Sequence, residues 1–436
     1  MSGARAGGED IADALRGAWI DAGRPGRVLL AVSGGGDSMG MLASARALAH
    51  ENAAVLVATV DHGLRPESAA EAARVAKASA ALGFQHETLV WRGEKPASGL
   101  QEAAREARYG LLYAAAARLG AGALVTAHTA DDLAETFVMR LARGSGAQGL
   151  AAMARPVKIA VGAGAPLELL RPFLRVRRAV MRAIAQTAGL PITDDPSNDD
   201  VRYERIRARR FLADAGRGLG ISIDAIVRSA EHLAVAAAAE RRLAAVRADT
   251  WRVRHGPFGE VSCEPAAVSP DTDALMVARL VHSVSGAAHP PDAGAAMTAL
   301  DDALGGRKAS IGGVILAPRE AGDAGLLIYR EPAAVLGRAG VPAIEPMRLG
   351  PGERILWDRR FIVENVLKTP ATLSALGAIR PAEGVVRPEE AMAAPALVTD
   401  NGDVTTPLDA PEAFQNLGGE RFNGGVIRFD APLEAG

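Results

Sequence analysis

The amino-acid sequence predicts an α/β chain: an N-terminal domain built on a doubly wound parallel sheet, a mainly helical middle and a small β-rich end. Three observations carry this. Short apolar runs alternate with helical patterns from Val28 to about Arg143, the signature of successive βαβ units. A glycine turn, Ser33-Gly34-Gly35-Gly36, stands between the first apolar run and the helix behind it. After Gly216, Gly218 and Gly220 the composition shifts to alanine-rich helical stretches, then to short β runs and many turns. The expected divisions are 1–215, 216–335 and 336–436, in line with two to three domains for 436 residues.

Residues 9–22 read as an amphipathic helix carrying Ile11, Leu15, Trp19 and Ile20. Val28 to Val32 is an apolar run suited to a parallel strand buried on both faces. Asp37 and Ser38 then cap a helix through Met39, Met41, Leu42 and Ala45. Strand, glycine turn and helix N-terminus together make an anion site. Backbone N–H groups can close on phosphate oxygens there, and the helix dipole adds partial positive charge. No Lys-Ser or Lys-Thr follows the glycines and no G-x-G-x-x-G is present, so neither a Walker A loop nor a dinucleotide fingerprint is indicated.

A second strand, Val55 to Val60, ends in Asp61-His62-Gly63-Leu64-Arg65, and a helix follows from about Glu67 to Leu82. Thr88 to Trp91 is the third strand. Leu100 to Leu119 is the next helix and carries Arg105, Arg108 and Tyr109. Ala123 to Thr126 is the fourth strand, with His128, Asp131, Asp132 and Glu135 at the start of the helix after it, and Gly144 a C-cap at its end. In such sheets ligands sit beyond the carboxyl ends of the strands, so these polar clusters should converge on one cleft. Asp132 and Glu135 are three apart and share a helix face. That suits a substrate ammonium or a magnesium ion. The alternative on spacing alone is acids that complement the helix dipole, worth about 0.3–1 kcal/mol each; His128 by itself equally fits a satisfied core histidine.

Residues 168–182 read as a strand end and a helix, with Arg171, Arg175, Arg177, Arg178 and Arg182. Asp194 to Asn198 is turn chemistry. Arg202, Arg205, Arg207, Arg209 and Arg210 follow, with Tyr203 among them. They suit an RNA backbone, although a lone basic run is more usually a solvated helix face, here beside Asp199, Asp200 and Glu204. Beyond them, Ile221–Val246, Ala274–Val284 and Ala295–Leu304 read as helices. Ile311–Leu316, Leu326–Tyr329, Arg354–Trp357 and Phe361–Val363 read as β runs, with a linker over 330–346. Net charge is −2 and Cys263 is the one cysteine, which excludes an internal disulfide framework or zinc knuckle. With a polar N-terminus and no apolar run of membrane length, the expectation is a cytoplasmic protein that makes no membrane contact.

The stretch SGGGDS (33–38) resembles the PP-loop of the N-type ATP pyrophosphatases, a Rossmann-like superfamily that cleaves ATP between its α and β phosphates. Together with VDHGLRPES (60–68), AREARY (104–109), TAHTADDLAETFVMRLARGSG (126–146), RPFL (171–174) and DDPSNDDVRYERIRARR (194–210), it resembles the tRNA(Ile)-lysidine synthase family. The resemblance covers roughly residues 25–212 and is weaker beyond. It implies an ATP- and Mg²⁺-dependent ligase. The enzyme adenylates the C2 oxygen of the wobble cytidine in the CAU anticodon of tRNA(Ile). Free L-lysine then displaces AMP to leave lysidine.

By the same resemblance, Ser33, Gly34, Gly35, Gly36, Asp37 and Ser38 cradle the pyrophosphate, and Asp37 also holds the metal. Asp61 and His62 lie along the nucleotide. Asp132 and Glu135 hold the lysine ammonium, with His128 at the substrate. Arg105 and Arg108 face phosphate or the target base, Arg205 assists at the substrate end, and Arg209 touches RNA. The β-rich end is expected to take part in tRNA recognition, and a homodimer is left open. One departure stands out. The family commonly carries R-N-R-I-R, whereas here Tyr203 and Glu204 precede Arg205-Ile206-Arg207; a carboxylate in place of the amide would repel phosphate. Among rivals, a tRNA thiolase needs sulfur chemistry that Cys263 alone does not provide. A small-molecule amidotransferase needs an ammonia source with no visible nucleophile. An inactive RNA-binding protein does not need Ser33, Asp37, Asp132 and Glu135 together.

Overall fold

A computed structural model describes the chain apart from residues 1, 93–94, 97–98, 152, 154–156, 194–203, 288, 320–324, 382–385, 424–425 and 430–436. The turn expected over Asp194–Asn198, together with Arg202 and Tyr203, lies outside the described residues. The chain forms two compact units, Met1–Ala238 with Ile427–Gly436, and Ala239–Val426.

The first unit follows the alternation in the sequence. Its elements are α1 (Ser2–Asp21), β1 (Arg27–Ala31), α2 (Gly36–Ser44), α3 (Arg46–Ala49), β2 (Ala54–Asp61), α4 (Ser68–Ala81), β3 (Gln85–Val90), α5 (Leu100–Arg118), β4 (Ala123–Thr126) and α6 (Ala130–Leu141). Then come α7 (Ala147–Leu150), β5 (Val157–Val161), β6 (Leu167–Leu170), α8 (Arg178–Thr187), α9 (Glu204–Leu219) and the start of α10 (Ile223–Thr250). Among the described residues the sheet has seven strands. From one edge the order is the final strand Val426–Phe429, then β5, β6, β4, β1, β2 and β3. β1 pairs in parallel with β2 and β4, β2 with β3, and β4 with β6.

The sequence periodicity places the core. Val28, Leu30 and Val32 enter one apolar cluster with Ile11, Leu15, Met39, Met41 and Phe173. Leu29 enters the opposite cluster with Leu56, Tyr109, Leu112 and Leu124. A strand that feeds both clusters is buried on both faces, as a doubly wound sheet requires. The sheet is not wholly parallel: β5 runs antiparallel to β6, Val157 opposite Leu169 and Ile159 opposite Leu167. The strand order reverses at β1, with β2 and β3 on one side and β4 and β6 on the other. That switch point opens a crevice beyond the carboxyl ends of β1 and β4, where Ser33–Ser38 and His128–Asp132 lie.

In the second unit, the helices Pro270–Ser285 and Ala293–Leu304 pack with the end of α10 around Trp251, Val277, Leu280, Val281 and Leu300. Their apolar faces cover a five-stranded antiparallel sheet. The run expected as one strand over 311–316 is instead a hairpin, Ala309–Ile311 and Val314–Pro318, because Gly312-Gly313 turns the chain. Two smaller antiparallel sheets follow and close over Trp357, Phe361, Val363, Leu373, Leu397 and Phe414. The segment expected as a linker over 330–346 holds the short helix Ala333–Leu336, whose Val335 is buried in that cluster. Gly216 and Gly218, expected at a boundary, lie inside α9.

Candidate active site

The glycine turn after β1 is closed by its own serines. Ser38 Oγ donates to the Gly35 carbonyl at 2.9 Å, accepts from the Ser33 N–H at 3.1 Å and lies 3.2 Å from Ser33 Oγ. Gly34 has φ +90°, a conformation that favours glycine, and its carbonyl accepts from the Thr193 N–H at 2.9 Å. α2 starts at Gly36, so the first N–H groups of that helix face the crevice without an intrahelical acceptor. A Cβ on Gly40 would lie 2.4 Å from the Met181 carbonyl oxygen. Glycine there lets α2 and α8 pack backbone to backbone, which fixes the N-termini of both helices beside each other.

α6 starts with a capping box. Asp132 Oδ2 accepts from the Thr129 N–H at 2.8 Å and from Thr129 Oγ1 at 2.7 Å, and the Asp132 N–H donates back at 3.5 Å. One carboxylate oxygen therefore serves the helix start, as the dipole reading of spacing anticipated. The other points elsewhere: Asp132 Oδ1 lies 2.9 Å from Arg178 and 3.4 Å from Arg205. Glu135, 1% exposed, accepts from Arg178 at 3.0 Å, Arg205 at 2.8 Å and Arg209 at 2.9 Å. Arg178 also donates to Asp37 Oδ2 at 3.1 Å. Five of the expected site residues, Asp37, Asp132, Glu135, Arg205 and Arg209, thus meet in one network.

Electrostatics follow the burial. Desolvation raises the Asp37 carboxyl to about 6, against the pull of Arg178. Asp132 moves the other way: burial opposes its charge, but Arg205 and Arg178 hold it below the usual carboxylate range. Burial also opposes the charge on Arg178, yet Asp132, Glu135 and Asp37 keep it firmly cationic.

A second cluster lies around His128 and Tyr109. The His128 ring nitrogen Nδ1 is 2.9 Å from Thr126 Oγ1. Burial and then the charge of Arg171, with Arg108 and Arg205 adding, push His128 down to about 3, so its imidazole is neutral. Arg105 and Arg108 stand 5.0 and 5.4 Å from the ring centre of the buried Tyr109, whose hydroxyl is pushed up by burial and brought below its ordinary value by the charges of Arg108, Arg105 and Arg171. The Asp61 carboxylate accepts from the Gly63 N–H at 2.8 Å. His62 meets the Trp91 ring edge-on at 5.9 Å. Burial, then Arg108 and Lys95, push His62 down to about 4.

Arg178 had no role in the sequence reading, though it holds the site's acids together. One signal was present: Arg177 and Arg178 open a helix with no acid in its first turn, against the dipole preference. Thr129 and Arg171 were quoted only as parts of longer stretches. Glu204, the departure from the family pattern, pairs with Arg143 and so ties the start of α9 to the chain just past α6.

Residues 14–215 match the family model of a PP-loop domain. A tRNA(Ile)-lysidine synthase of Ruegeria pomeroyi is 37% identical over 377 residues, 85% of this chain and 84% of that protein. Another, of Methylobacterium nodulans, is 43% identical over 296 residues, 66% of this chain and 83% of that protein. A third, of Rhizobium meliloti, is 37% identical over 357 residues, 78% and 74% of the two chains. A glycine loop at the switch point, acids and arginines gathered beside it and similarity along most of the length all agree: the chain belongs to the tRNA(Ile)-lysidine synthase family.

Proposed function

We propose that this protein is an ATP-dependent ligase that joins L-lysine to the wobble cytidine of the CAU anticodon of tRNA(Ile). The cytidine O2 attacks the α-phosphorus of ATP. An O–P bond forms, the bond to the β-phosphate oxygen breaks, and pyrophosphate leaves. The lysine ε-amine then attacks C2; a C–N bond forms, the C2–O bond breaks with AMP leaving, and the amine gives up a proton. Cytidine O2 is a poor leaving group and AMP a good one, so dividing the reaction lowers the barrier. The observation that carries this reading is the meeting of Asp37, at the phosphate loop, with Asp132 and Glu135 in one network. A nucleotide site and an ammonium site are then neighbours.

The residue roles follow. The turn Ser33–Ser38 and the α2 N-terminus receive the pyrophosphate. Asp61 and His62, at the end of β2, line the nucleotide; neutral His62 adds no charge of its own. Asp132 and Glu135 take the lysine ammonium by exchange with the α9 guanidinium groups of Arg205 and Arg209, while Arg178 stays on them. Arg105, Arg108 and His128 face the target nucleotide, Arg205 the substrate end, and Arg209 the RNA. Mg²⁺ suits Asp37: its Oδ1 is buried and has no hydrogen-bond partner among the described residues. One carboxylate oxygen plus substrate phosphates is a usual magnesium environment. Bound there, the ion would share the charge of the leaving pyrophosphate. The β-rich region 336–436 is proposed to contribute to tRNA recognition. No described helix is long and apolar enough to cross a membrane.

The thiolase alternative loses ground, since Cys263 is buried and its thiol is pushed up to about 12 by desolvation and the nearby Glu264. The test is AMP release and labelled L-lysine incorporation with ATP, Mg²⁺ and a CAU-anticodon isoleucine tRNA transcript. Incorporation that disappears when the anticodon cytidine is replaced is the expected result. AMP release without incorporation would reject lysine as the nucleophile.

A further inference from the structure

Arg178 is the point where three helix N-termini meet. Its guanidinium reaches Asp37 of α2 at 3.1 Å through Nε, and Asp132 and Glu135 of α6 at 2.9 and 3.0 Å through Nη2 and Nη1. Every nitrogen of the fork is used, each on a different carboxylate. The main chain is held too: the Arg178 N–H donates to Asp131 Oδ2 at 2.8 Å, and Arg177 grips the same carboxylate at 3.1 and 3.2 Å. The arginine therefore cannot slide along α8 to favour one acid over another. α8 itself is fixed on α2 by the Gly40 contact with Met181. Two arginines at a helix start oppose the macrodipole and cost about 0.3–1 kcal/mol each. A local rule broken at a junction of acids marks a functional constraint.

We propose that Arg178 is a positioning residue that holds the phosphate-loop acid Asp37 in register with the ammonium-binding acids Asp132 and Glu135. The inference rests on the function proposed above and extends it. Without the fork, three carboxylates from two helices repel one another across the crevice, and the reacting amine loses its alignment with the activated nucleotide. A lysine at 178 would keep the charge but is a compact point charge that cannot serve three acids in three directions.

The test compares Arg178→Gln, Arg178→Lys and, as a control, Arg175→Gln, whose exposed side chain pairs with Glu231 outside the network, in the full chain. Measured are ATP binding by equilibrium dialysis, kcat and the lysine KM for incorporation, and the melting temperature. Misplacement of reacting groups by about 1 Å costs roughly 100-fold. Arg178→Gln should therefore lose at least about 100-fold in kcat and raise the lysine KM about tenfold, with ATP affinity within about threefold. Arg178→Lys should recover less than about a tenth of the lost kcat, and Arg175→Gln should stay within about threefold of the wild type. Three results would overturn the proposal: kcat and lysine KM unchanged in Arg178→Gln; full rescue by lysine; or ATP affinity and lysine KM weakened together in step with a fallen melting temperature. Failure of the wild type to incorporate lysine would reject the proposed function instead, and the same kcat comparison would then be read on AMP release.

Discussion

Two arginine clusters share the catalytic unit, and they differ in what balances them. Around Glu135, three arginines (Arg178, Arg205, Arg209) face three carboxylates (Asp37, Asp132, Glu135). Around Tyr109, burial first and then neighbouring arginines depress Arg108, Arg140 and Arg171, and the tyrosine pulls only Arg108 and Arg171 back up. Arg205 acts on both clusters, since its charge reaches Asp132, His128 and Arg108. A balanced cluster can trade one cation for another at little electrostatic cost. An unbalanced one holds an excess of positive charge and attracts an anion, and arginine forks suit phosphate. On the function proposed above, the balanced cluster is expected to take the amine and the second cluster a further phosphate of the nucleotide or RNA.

The largest expected effect strikes the balanced cluster where it meets the phosphate loop. Asp37→Ala should reduce AMP formation by at least about 100-fold, the scale on which single transition-state electrostatic contacts act; near-normal AMP release would remove Asp37 from the mechanism. Next comes Glu135→Gln. It takes the Glu135 carboxylate from Arg209 and leaves Arg178 and Arg205 only their other acids, Asp37 and Asp132, so the fold should lose about 3 kcal/mol, the lower end of the cost of breaking a buried ion pair. Urea denaturation measures this, and an unchanged midpoint would mean the network carries no structural weight.

The two clusters should also answer pH differently. His128 and His62 have folded values near 3 and 4, below the ordinary histidine value. For a base depressed in the folded state, the unfolded chain takes the proton first. Stability therefore falls as pH drops below about 6.5, by roughly 1.4 kcal/mol per pH unit for each histidine. Asp37, raised to about 6, acts oppositely: its contribution is present at low pH and is lost as pH rises through about 6. His128→Gln should reduce the stability lost between pH 7 and pH 5 by about 2 kcal/mol. An identical loss in variant and wild type would place a charged imidazole at 128.

The smallest expected effect sharpens the contrast most directly. Arg105 is exposed and sits among like charges. Arg105→Gln should leave the melting temperature unchanged or slightly higher, while lowering the log–log salt slope of RNA binding by about 1. If stability falls as it does for Glu135→Gln, the second cluster is balanced after all.

Much of this could be read along the chain because its causes are local. The β1 run, the glycine turn and the helix start lie within one short stretch, and each residue's preference acts on its immediate neighbours. The spacing of Asp132 and Glu135 likewise fixed that they share a face. The glycines at 216 and 218 misled as a boundary because a helix interior tolerates glycine at a modest cost. Gly312-Gly313 was read through, although it turns a hairpin. The sequence by itself therefore determined the alternating architecture, the phosphate loop and the family. Only the tertiary structure decided that one guanidinium from α8 would join acids of α2 and α6. Asp37 and Arg178 are far apart in sequence, and no local propensity acts over that separation. Their meeting depends on the strand order, which brings β1 and β4 side by side, and on a close contact of α2 with α8 for which Gly40 leaves room.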